Sequence, residues 1–125
     1  MHELLERKKG LHRTILIVDD EMIEREMLGN MLQDLYDVVY AENGVKALEV
    51  MRKDKSISLV ILDLHMPEMD GYSLLEIIRA DGELRRIPVI VLTSEKEAEV
   101  KSLQLGAADF ITKSYEVPEV IRARV

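Results

Sequence analysis

The apolar positions of this 125-residue chain follow two alternating rhythms. Short apolar runs at residues 14–18, 58–62 and 88–92 are rich in β-branched side chains and predict buried strands, and residues 109–112 read as a fourth strand of sufficient length. Residues 37–40 add a shorter β-rich stretch. Between the runs the period lengthens to that of a helix. Residues 21–35 place Met22, Ile23, Met27, Leu28, Met31, Leu32 and Leu35 at helical spacing. Residues 44–51 carry Val45, Leu48 and Met51 on one face behind Asn43, a good N-cap. Residues 72–79 turn Leu74, Leu75 and Ile78 inward, after Pro67 and Asp70-Gly71 break the chain. Residues 96–105 predict a mostly polar helix ended by Gly106, and Pro118 opens a last helix with Val117, Val120, Ile121 and Val125 as its buried stripe. The seven methionines read as gap-filling core rather than a binding groove.

Strands alternating with helices imply βαβ crossovers and a parallel sheet. Strands without polar alternation imply that both faces of that sheet are covered. The fold class expected is therefore α/β, a doubly wound five-stranded parallel sheet with helices on both faces. Five strands and five helices suit a flavodoxin-like strand order 2-1-3-4-5, in which the first and third strands are neighbours. Residues 14–125 form this one domain; residues 1–13, charged and containing Gly10, read as an extension or linker.

Composition narrows the function. With no Cys, disulfides, thiolate metal sites and cysteine nucleophiles are excluded. A net charge of −7 argues against nucleic acid or an anionic membrane as a direct partner. No apolar run approaches a membrane span, and no signal-peptide apolar region follows the basic residues near the start, so a cytoplasmic location is expected.

The chemistry concentrates at strand ends. Asp19 and Asp20 close the first strand, Asp63 closes the third and Lys113 closes the fifth. Side chains directly after buried strands lie at the carboxyl edge of the sheet, where open α/β folds bind ligands. Three acids there repel one another unless a cation sits between them, which points to a hard metal and to phosphate. Each residue also has a plainer reading. Asp19 and Asp20 could cap the first helix, Lys113 could be a solvated surface residue, Thr93 a strand-end hydroxyl, and Phe110 core. Asp70 and Gly71 are better read as turn and N-cap than as chemistry.

The segments ILIVDDE (15–21), AENGVKALE (41–49), LVILDLHMPEMDG (59–71), IPVIVLTS (87–94) and LGAADFITK (105–113) together resemble the receiver domain of two-component response regulators. The resemblance implies that Asp63 accepts a phosphoryl group from a sensor histidine kinase or phosphotransfer protein. It implies Mg2+ held directly by Asp20, Asp63 and the backbone carbonyl of His65, with Asp19 acting largely through water. Thr93 and Lys113 would contact the phosphoryl oxygens. Phe110 falls at the aromatic switch position. The face of the fourth helix, fifth strand and fifth helix would repack to meet an output domain or effector, or to form a homodimer. His65 and Glu95 border the phosphoryl group's access to water and are expected to tune its lifetime.

Two departures stand out. Ser114 follows Lys113 where the family usually carries Pro, so a trans bond and a shifted loop at 114–117 are expected. The last helix has room for about two turns before Val125, which suggests truncation or a longer parent protein. The rival functions are a small Mg2+-dependent phosphohydrolase with Asp63 as nucleophile, and a receiver-like interaction module that is never phosphorylated. Against the first stand His65, where a second acid is needed, and the lack of a cap-sized insertion. Against the second stands retention of the whole site.

Overall fold

Thr14–Val18 (β1), Asp37–Ala41 (β2), Ile57–Asp63 (β3), Val89–Thr93 (β4) and Asp109–Thr112 (β5) pair in parallel in the order β2-β1-β3-β4-β5. The structure is a computed structural model that describes residues 13–64, 71–93, 101 and 103–112. The order matches the one expected from the alternation of strands and helices. It places β1 and β3 side by side, with Val18 opposite Leu62.

Period-2 alternation decides what each strand residue touches. Leu16, Val18, Val60, Leu62, Val89 and Val91 face one layer, where they pack on Ala47, Leu48 and Met51 of Gly44–Lys53 (α2) and on Leu74, Leu75 and Ile78 of Gly71–Ala80 (α3). Ile15, Ile17, Ile61, Ile90 and Leu92 face the other, against Leu28 and Leu32 of Met22–Leu32 (α1). Every residue of β1 is buried, because helices cover both of its faces.

The helix starts follow local chemistry. The Asn43 side chain accepts a hydrogen bond from the Lys46 N–H at 2.8 Å and caps α2. Asn43→Ala leaves that N–H without its acceptor, and a loss of about 1 kcal/mol is expected, read as a lower urea midpoint at unchanged slope. After α3, the Asp81 carboxylate accepts the N–H groups of Glu83 and Leu84 and opens a short 3-10 turn, Leu84–Arg86. Gly106 has φ of +100°, the left-handed conformation that ends a helix, and the Arg79 side chain lies against it.

The first helix departs from expectation. It ends at Leu32 rather than Leu35, and Ile23 is 79% exposed. Met22, Met27 and Leu35 are exposed too, as is Val45 on α2. Met22 and Met27 are therefore not core filling, whereas Met51 is. The seven apolar residues of 21–35 spread around more of the helix than one sheet face can cover. Leu28, Gly29 and Leu32 occupy the covered stripe. Residues 1–12 and 113–125, with the expected last helix and the Lys113–Ser114 bond, lie outside the described residues.

Candidate functional site

Strand register brings the candidate residues to one edge. β1 ends at Val18, which pairs with Leu62, so Asp19 leaves the sheet one position on, level with Asp63, the last residue of the neighbouring β3. Asp63 pairs with Leu92, which puts Thr93, the last residue of β4, one position beyond. Thr93 in turn pairs with Thr112 at the end of β5, and Phe110 pairs with Val91. Neighbouring strands run roughly 4.8 Å apart, so Asp19, Asp63 and Thr93 come from three successive strand ends of one sheet edge.

The loop after β1 is held by its own backbone. The Asp19 N–H donates to the Ala41 carbonyl at 3.1 Å, and the Asp19 carbonyl accepts from the Arg25 guanidinium at 2.7 Å. The Asp19 carboxylate accepts the Glu21 N–H at 2.9 Å. That turn buries Asp19, at 1% exposure, and leaves Asp20 exposed. Asp63 is also buried, at 4%.

Carboxylate oxygens of Asp19, Glu24 and Asp63 all lie within 4.8 Å of one another. Oxygens on opposite sides of a hard divalent ion stand roughly 4–5 Å apart, twice the ion–oxygen distance, so the three acids fit the shell of a single ion. Their all-oxygen chemistry suits Mg2+ or Ca2+ rather than a softer metal. Crowding acids under cover has an electrostatic signature. Burial, followed by the hydrogen bond shared with Glu24, pushes the Asp19 carboxyl up to about 8. The charges of Asp63 and Glu24 add to the rise, and the Glu21 N–H opposes it.

Of the acids expected from sequence, the structure gathers Asp19 with Asp63 and leaves Asp20 out of the cluster. The inward side chain is that of Asp19, because the Glu21 N–H pins its carboxylate. Glu24 is the acid that the strand-end argument passed over. It was legible in principle. It lies in the first turn of α1, the helix that leaves β1 at the sheet's carboxyl edge, so a long side chain there reaches back towards the strand ends. His65, Glu95 and Lys113 lie outside the described residues.

Residues 15–125 match the family described as the response regulator receiver domain. The two-component response regulator ORR3 of Oryza sativa subsp. indica is 34% identical over 111 residues, which span 86% of this chain and 85% of that protein. Among solved structures, the chemotaxis protein CheY4 of Vibrio cholerae superposes with a TM-score of 0.82 at 28% identity, covering 90% of this chain and 95% of that one. The signal receiver domain of a signal transduction histidine kinase from Syntrophus aciditrophicus superposes with a TM-score of 0.80 at 37% identity, covering 90% and 86%. The fold agrees with these solved structures, and the chain belongs to the response regulator receiver domain family.

Proposed function

We propose that this receiver domain takes a phosphoryl group onto Asp63 from a phosphohistidine of a sensor kinase or phosphotransfer protein. The observation that carries the reading is a buried aspartate at the end of β3, crowded by a second buried aspartate from β1. Two buried acids of like charge are costly to keep ionised side by side unless a cation sits between them. In the transfer, an Asp63 oxygen bonds the phosphorus as the donor's imidazole leaves with its electron pair. Asp20, Asp63 and the His65 carbonyl would hold Mg2+ directly, as the family resemblance implies, with Asp19 beside them acting largely through water. The cation's contribution when bound is to neutralise charge that builds up between carboxylate and phosphoryl oxygens.

The remaining roles belong to this chain's own residues. Thr93 ends β4 beside the acceptor strand, where a hydroxyl can turn to donate to a phosphoryl oxygen. Lys113 directly follows β5 and supplies a positive charge on a flexible stem. His65 and Glu95, each two residues beyond a proposed site residue in the sequence, would set how fast water removes the group. As the family resemblance implies, movement of Thr93 towards the phosphoryl group would free space for Phe110, and the face of the expected fourth helix, the fifth strand and the expected fifth helix would then repack. That face is the one offered to an output domain, an effector or a second copy of the chain. No helix among the described residues is long and apolar enough to cross a membrane.

Incubation with Mg2+ and acetyl phosphate tests the proposal. The expected result is a mass gain of one phosphoryl group, lost on adding EDTA and absent in Asp63→Asn. Turnover of external phosphate esters would instead make the chain a hydrolase, and no reaction at all would leave it an interaction module.

A further inference from the structure

Glu24 is poorly explained by its place in the helix. An acid in the first turn is stabilised by the helix dipole wherever its side chain points, solvent included. Glu26, on the same helix, is exposed in that way, whereas Glu24 is half-buried. Its carboxylate lies with those of Asp19 and Asp63 and shares a hydrogen bond with Asp19, and once Asp19 loses its proton three like charges crowd the pocket. The shared hydrogen bond holds Glu24 in the pocket while Asp19 is protonated, and a cation that all three acids meet would take the place of that proton.

We infer that Glu24 is a ligand of the divalent cation in this receiver domain and sets its preference among cations. The inference rests on the reading that the Asp19–Asp63 pocket holds a divalent ion. Mg2+ demands near-octahedral geometry and keeps several waters, so it needs only one or two protein carboxylates. Ca2+ takes six to eight oxygens with flexible geometry and gains from each added carboxylate. A glutamate reaching in from a neighbouring helix adds one or two oxygens and one negative charge to the aspartate pair. Glu24 therefore raises affinity for both ions, and for Ca2+ more than for Mg2+. It acts from an element outside the strand ends, so the selectivity of the site is adjustable without altering the phosphoacceptor itself.

The test is calorimetric titration of the EDTA-stripped, dialysed full chain with MgCl2 and, separately, CaCl2, at one pH and ionic strength. Glu24→Gln, Glu26→Gln and Asp63→Asn are compared with the unaltered protein, and far-ultraviolet circular dichroism checks their folding. Glu24→Gln is expected to weaken Ca2+ binding roughly tenfold and Mg2+ binding by less. Glu26→Gln removes the same charge from the exposed face and is expected to leave both affinities unchanged. Equal affinities in Glu24→Gln and the unaltered protein overturn the inference, as does an equal loss in Glu26→Gln or a larger loss for Mg2+ than for Ca2+. Were Glu24→Gln to unfold, Glu24→Asp, which keeps the charge but shortens the reach, is expected to weaken Ca2+ binding as well, and unchanged binding in it overturns the idea. Tight binding lost in Asp63→Asn but retained in Glu24→Gln rejects only the role of Glu24. Absence of binding by the unaltered protein rejects the metal pocket and the inference together.

Discussion

Gly71→Ala is expected to lower the melting temperature by roughly 10 °C and to slow phosphoryl acceptance at Asp63 about a hundredfold. The reason is contact with backbone rather than with a pliable side chain. A Cβ at position 71 would stand 2.5 Å from the Leu64 Cα, 2.8 Å from its Cδ2 and 2.9 Å from the Asp63 carbonyl oxygen. Neither backbone atom can rotate away, so either α3 withdraws from the sheet or the end of β3 moves. Overpacking of this kind costs about 1–3 kcal/mol. The Gly71 N–H also donates to the Leu64 carbonyl at 2.9 Å, and that bond lengthens under either response. Both responses displace the residue next to Asp63, which is why stability and chemistry fall together. Thermal unfolding by circular dichroism and the time course of mass gain with acetyl phosphate measure the two effects. A variant that melts with the unaltered protein would mean that the contact relaxes without cost.

The metal-free protein is expected to lose stability on the order of 2 kcal/mol as pH rises from about 5 to about 8, and Asp19→Asn is expected to remove most of that loss. Burial and the Glu24 hydrogen bond raise the Asp19 carboxyl from its ordinary 3.8 to about 8. Between those values the folded chain holds a proton that the unfolded chain has released, so added base favours unfolding. The stabilisation is complete below the unfolded value and is gone once pH has passed the folded one. Asp81 behaves oppositely. The N–H groups of Leu84 and Glu83 hold its carboxyl below the usual range, so its share is present above the unfolded value and lost only in more acidic solution. It contributes little slope in the window of interest. Asn at position 19 retains an oxygen to accept the Glu21 N–H but carries no charge to bury. Urea midpoints in EDTA at several pH values provide the measurement, and parallel profiles for the two proteins would contradict it. Saturating Mg2+ is expected to flatten the profile of the unaltered protein only.

Much of the architecture was legible because burial writes a local pattern. β1 begins and ends where the apolar run 14–18 begins and ends, since a strand covered on both faces tolerates no polar interruption. Asn43 was identifiable as a cap because its role involves only the next three residues. The first helix was less legible. Its apolar residues satisfy the helical period whether or not a neighbour covers them, so the period could not tell Leu28, which is buried, from Ile23, which is exposed. At the site, Asp19 and Asp63 were marked by their place after buried strands, whereas Glu24 carried no such mark.

Sequence alone determined the succession of strands and helices, the residues that alternate between the two cores, and the acids at the carboxyl edge. These follow from side-chain periodicity and from where apolar runs stop. Tertiary structure alone decided which acids meet. Asp19 turns inward and Asp20 outward because one backbone N–H, that of Glu21, holds the first carboxylate. Glu24 joins Asp63 because the strand order sets β1, and with it the start of α1, beside β3. Contacts between residues distant in the chain depend on packing geometry, which no local pattern encodes.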